Sequence, residues 1–126
     1  TLVPNLKVIL VEDSSMIRER IAEMVQVIVG VDLVGAYEDA TSAIKSIRDA
    51  APNVVLLDIK LRDSNGMQVM DHIVQNKIET KVIVLTNYAE PQYRELFLRQ
   101  GVHAVLDKSN EFHRVKELLL PLINAD

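Results

Sequence analysis

Five short apolar stretches constrain this chain more than any other feature. Val8-Ile9-Leu10-Val11, Val54-Val55-Leu56-Leu57 and Val82-Ile83-Val84-Leu85 are unbroken runs rich in β-branched residues, and Ala104-Val105-Leu106 is a weaker fourth. A strand with one wet face alternates apolar and polar residues, so unbroken runs imply a parallel sheet covered on both sides. Residues 31–37, Val-Asp-Leu-Val-Gly-Ala-Tyr, do alternate and read as a fifth strand near an edge. Between the runs, apolar residues recur at helical spacing, as in Met16, Ile17, Ile21, Met24, Val25 and Ile28. Similar patterns occupy 40–50, 66–76, 90–100 and 111–124. Strict alternation of strand and helix predicts an α/β domain: a doubly wound, five-stranded parallel sheet flanked by five helices, with right-handed crossovers.

Local punctuation agrees with these elements. Ser14 and Ser15 can cap the first helix, Gly101 stands where a C-terminal glycine is favoured, and Gly66 is placed to open the third helix. Pro52 separates the second helix from the third strand. At 126 residues the chain fits one domain, 1–126, with no internal repeat or linker. The first residue, Thr1, rather than Met, suggests a trimmed sequence or a fragment, and the end at Asp126 does not decide between a stand-alone regulator, which is the expectation, and the front part of a longer one.

Charge and composition exclude several functions. With 14 basic and 18 acidic side chains, a formal charge of −4 and no basic cluster, direct binding to nucleic acid is not expected. There is no cysteine, so no disulfide, thiolate metal site or thiol nucleophile exists. No apolar run approaches the ~20 residues of a membrane span. A cytoplasmic protein without membrane insertion is the expectation. His72, His103 and His113 lie on different elements without ligand spacing.

In an open parallel sheet the reactive site lies beyond the carboxyl ends of the strands. Those ends carry Glu12-Asp13, Asp58, Thr86-Asn87 and Asp107-Lys108-Ser109. Singly, each has a plain structural reading: Asp13 begins a helix, and Lys108 is a solvated loop charge. Jointly, Glu12, Asp13 and Asp58 would repel one another without a cation. Oxygen ligands without His or Cys point to Mg²⁺, which keeps waters and shares itself with a phosphate. Asp58 is then the candidate nucleophile, with Lys108 absorbing charge and Thr86 donating to a phosphoryl oxygen.

These motifs resemble the receiver domain of bacterial response regulators, from about Leu6 to Leu122. The resemblance is carried by Glu12-Asp13 after the first strand, Asp58 after the third, Gly66 eight positions on, Thr86 after the fourth strand and Lys108 after the fifth. It implies a flavodoxin-like (βα)5 fold with strand order 2-1-3-4-5. It further implies that Asp58 accepts a phosphoryl group from a sensor histidine kinase or phosphotransfer protein. Mg²⁺ would be held by Glu12, Asp13, Asp58 and the backbone carbonyl of Lys60, and Thr86 and Lys108 would grip the phosphoryl oxygens. Output would pass through the surface of helix four, strand five and helix five to a downstream effector protein or a fused effector domain. A phosphorylation-dependent homodimer is a further mode. Such a domain is a signalling module that catalyses only its own phosphorylation and dephosphorylation.

Three positions depart from the family pattern. Arg62 stands in place of a proline, Ser109 replaces the proline whose peptide bond is usually cis, and Val105 occupies the place of the aromatic switch residue. A switch by ring rotation is therefore not available. Lys60 and Tyr88 occupy positions that influence phosphoryl lifetime in the family. On the fourth helix, Tyr93, Leu96 and Phe97 offer either a partner patch or, for most of them, core packing. The competing readings are an aspartyl-phosphate hydrolase, in which Lys60 stands where the second acid belongs, a flavodoxin-like cofactor binder, and a docking module that is not phosphorylated.

Overall fold

The computed structural model describes residues 4–60, 64–87 and 90–124, excepting the side chains of Ser64 and Asn65. The strands are β1 (Leu6–Val11), β2 (Val31–Tyr37), β3 (Val54–Asp58), β4 (Lys81–Thr86) and β5 (Ala104–Asp107). They form one parallel sheet in the order β2-β1-β3-β4-β5, as expected. Helices α1 (Ser15–Gln26), α2 (Ala40–Ala50), α3 (Ser64–Gln75), α4 (Pro91–Arg99) and α5 (Val115–Leu119) connect and flank it.

The unbroken apolar runs are explained by burial on both faces. Ile9, Val11, Val55, Leu57, Val82, Val84 and Val105 form one core with α2, α3 and α4. Their neighbours Val8, Leu10, Val54, Leu56, Ile83, Leu85 and Leu106 form the other with α1 and α5. This two-residue alternation is the pleat of the strand. β2, at the edge, has the alternating burial its sequence suggested. Its pairing with β1 shifts between Val8 and Ile9, leaving Val34 as the extra residue of a bulge.

Ser14 caps α1, its hydroxyl accepting from Ile17 N at 3.4 Å. Asp39 caps α2 in the same way through Ser42 N, at 2.8 Å. Gly101 follows α4 with φ of 92°, a conformation that favours glycine. Phe97 is buried and Tyr93 packs against the core, whereas Leu96 remains half exposed, so the fourth-helix apolar residues divide between core and surface.

Two expectations are corrected. The final helix does not run continuously over 111–124. A 3-10 turn (Phe112–Arg114) precedes α5, and a second (Leu120–Leu122) replaces its end. Pro121 lacks the N–H that a continuing α-helix requires there. Gly66 does not open α3, which begins at Ser64.

Candidate functional site

The carboxyl ends of β1, β3, β4 and β5 bring the sequence candidates into one pocket. Backbone bonds continue the ladder past the strand ends: Glu12 N donates to Tyr37 O (2.9 Å), Ile59 N to Leu85 O (3.1 Å) and Lys108 N to Thr86 O (2.9 Å). Glu12, Asp58, Thr86 and Lys108 are thereby fixed, and all four are buried. Lys108 is therefore no solvated loop charge. Its Nζ lies 2.6 Å from Glu12 Oε1 and 3.1 Å from Asp58 Oδ1. Glu12 is held further by Ser14 N, which donates to Oε2 at 2.9 Å, and by Arg18, which donates to its backbone oxygen at 2.8 Å.

Glu12, Asp13 and Asp58 each offer an oxygen, and these oxygens lie within 4.8 Å of one another. Burial pushes the Glu12 carboxyl up to about 7, against the pull of Lys108, and burial likewise raises Asp58. Asp13 behaves oppositely. Lys60 Nζ donates to its Oδ2 at 2.6 Å and holds it below the usual carboxylate range. The same bond raises the Lys60 ammonium, which makes that residue a poor proton donor near neutral pH and weakens the hydrolase reading. The cluster fits a hard cation: Asp13 Oδ1 is shut off from solvent and has no hydrogen-bond partner, so it retains capacity for a ligand.

Gly66 has a role that its position in the sequence did not disclose. A Cβ there would stand 2.3 Å from the backbone oxygen of Asp58 and 3.1 Å from Ile59 Cα. Only a glycine lets α3 approach the strand end this closely. Gly66→Ala is expected to destabilise the fold by about 1–3 kcal/mol through overpacking. Urea unfolding checks this, and unchanged stability would show that the contact relaxes freely.

The loop after β5 is tied by a network that sequence reasoning missed. Glu111 Oε1 accepts from Asp107 N at 2.9 Å and from Arg94 of α4 at 3.0 Å, and Arg94 also donates to the backbone oxygen of Val105. The backbone amide of Asp107, helped by Arg94, pulls the Glu111 carboxyl down to about 2. Asp107 itself turns away from the pocket, its Oδ1 accepting from Ser109 N at 2.8 Å. Val105 is buried in the core. No cis peptide occurs among the described residues, consistent with Ser109 in place of proline. Arg62 and Tyr88 lie outside the described residues.

Residues 8–120 match the response regulator receiver domain family. The chain belongs to that family. This receiver domain is 30% identical over 108 residues to a protein-glutamate methylesterase/protein-glutamine glutaminase of Koribacter versatilis, covering 84% of this chain and 30% of that protein. It is 24% identical over 121 residues to the response regulator VraR of Staphylococcus saprophyticus, covering 96% of this chain and 58% of that one. Among solved structures, the receiver domain of NarL from Mycobacterium tuberculosis superposes with a TM-score of 0.84 at 22% identity, covering 98% of this chain and all of that one. The receiver domain thus spans between about a third and three fifths of these curated relatives. No helix among the described residues is long and apolar enough to cross a membrane.

Proposed function

We propose that this receiver domain takes a phosphoryl group on Asp58 from a histidine kinase or phosphotransfer protein, assisted by Mg²⁺. The observation that carries the reading is the place of Asp58: a buried carboxylate ending the central strand, 3.1 Å from a buried ammonium, within a cluster of three acids. In the transfer, an Asp58 oxygen attacks phosphorus while the P–N bond to the donor histidine breaks. The ring nitrogen leaves with the bonding pair, giving an aspartyl phosphate and a neutral imidazole. Lys108 and the Thr86 hydroxyl stand to hold the phosphoryl oxygens. Glu12, Asp13, Asp58 and the Lys60 backbone carbonyl would hold Mg²⁺, which when bound supplies charge compensation for the phosphoryl oxygens.

The 1–126 chain is read as a single receiver unit that works in the cytoplasm. It signals to an effector protein, or to an effector domain fused in a longer chain, rather than to nucleic acid directly, and a phosphorylation-dependent homodimer is one way of doing so. With Val105 in place of an aromatic ring, output through α4, β5 and α5 relies on another link. The tie from Asp107 through Glu111 to Arg94 joins the residue beside Lys108 to α4 and supports that route.

Beryllofluoride, a mimic of the phosphoryl group, tests the reading when its uptake is followed by backbone amide shifts. Uptake is expected to require Mg²⁺ and to centre on Asp58, Thr86 and Lys108. Because burial pushes the Glu12 carboxyl up to about 7 and it must lose its proton to ligate a cation, uptake should weaken as pH falls. The expected loss is about tenfold between about pH 8 and about pH 6. Equal uptake with chelator present would contradict metal assistance, and a pH-independent uptake would remove Glu12 from the ligand set.

A further inference from the structure

We propose that the Lys60 side chain is a built-in counter-cation of the acidic pocket, which occupies Asp13 until Mg²⁺ displaces it and so lowers the metal affinity of this receiver domain. The inference rests on the metal-assisted reading above. Three observations carry it.

The first is the division of labour between two lysines. Lys108 pairs with Glu12 and Asp58, while Lys60 pairs with Asp13 at 2.6 Å. The Lys108 side chain is 5% exposed, and its ammonium is held by two buried carboxylates. The Lys60 side chain is 40% exposed, and rotation of its flexible stem returns the ammonium to solvent at little cost. One lysine is fixed and the other is displaceable.

The second is space. The cavity bounded by Glu12, Asp13, Glu38, Asp58, Lys60 and Gly66 is about 10 Å³, on the order of what a single water needs. A magnesium ion keeps several of its waters. The room at the carboxylates beside Lys60 is therefore tighter than an ion with its waters needs, and Lys60, whose side chain is partly exposed, is able to give way.

The third is charge. With Glu12, Asp13 and Asp58 ionised, the two ammoniums leave one negative charge uncompensated. Exchanging the Lys60 ammonium for a divalent cation neutralises these three carboxylates, with exposed Glu38 beside the cavity adding a further negative charge that favours the cation. Asp13 Oδ1, buried and without a hydrogen bond, shows that Lys60 satisfies only one side of this carboxylate. Lys60 thus stabilises the metal-free pocket without completing it, which leaves the exchange favourable but attenuated.

Calorimetric titration of MgCl₂ into the wild type, Lys60→Met and Lys60→Arg at fixed ionic strength tests the proposal. Lys60→Met should bind Mg²⁺ about threefold to tenfold more tightly, the range set by a partly exposed ion pair and a nearby like charge. Lys60→Arg, which keeps the cation, should stay close to the wild type. Thermal unfolding gives a second readout. Metal-free Lys60→Met should melt below the wild type, and the gap should close at saturating Mg²⁺, because Lys60 no longer contributes once displaced. Affinity in Lys60→Met equal to or weaker than the wild type, or a melting gap that persists with Mg²⁺, would overturn the proposal. Failure of every variant and of the wild type to bind Mg²⁺ would instead remove the metal-assisted reading on which it rests.

Discussion

Asp58→Asn is expected to abolish phosphorylation by any donor while leaving the fold intact and somewhat more stable. The amide has no anionic oxygen to attack phosphorus, and no other carboxylate of the cluster is placed alike. Glu12 is wholly buried under Lys108, and Asp13 lies off the strand end, paired with Lys60. The gain in stability follows from the raised carboxyl of Asp58, whose main cause is burial. A group whose folded-state pKa lies above its unfolded value costs stability once pH exceeds the unfolded value. Removing that charge should therefore raise the unfolding free energy near neutral pH, with little effect in acid. Phosphopeptide mapping and urea unfolding check the two halves. Persistent labelling of the variant at the same rate would place the acceptor elsewhere.

Lys108→Ala should be the most damaging change to stability, lowering it by about 3 kcal/mol because two buried carboxylates lose their shared cation. The loss should also depend on pH. Lys108 lowers the pKa of both Glu12 and Asp58, so without it both rise further above their unfolded values. The folded variant then binds more protons than the unfolded chain, and its stability falls as pH climbs from about 4 through about 7 and beyond. Unfolding in urea at a series of pH values should show the deficit largest in mild alkali and shrinking in acid. Lys108→Met, which retains the packing of the stem, separates charge from volume. A deficit that is small, or that does not vary with pH, would mean that the ammonium is not the counter-charge of this pocket.

The sheet was readable because its physics is local. A run such as Val54–Leu57 has one way to hide every side chain, between two helical layers, and the alternation of neighbours onto the two faces follows from the pleat. The site residues were readable because a parallel sheet gathers its carboxyl ends, so Glu12, Asp58, Thr86 and Lys108 meet although as many as 96 positions separate the first from the last. Contacts set by side-chain direction were not readable. Nothing in the order of residues says that Lys60 turns toward Asp13, that Arg94 reaches Glu111 across β5, or that Gly66 serves the Asp58 carbonyl rather than the start of a helix. The break in the final helix had a signal in Pro121, but the apolar periodicity around it was stronger than that single residue.

Intact mass with site mapping after incubation with acetyl phosphate, once with Mg²⁺ and once with excess chelator, reports whether Asp58 takes the phosphoryl group. A single phosphoryl adduct on Asp58 is expected, forming only with Mg²⁺ and labile to base. An adduct on another residue, or one that forms equally well in chelator, would contradict it.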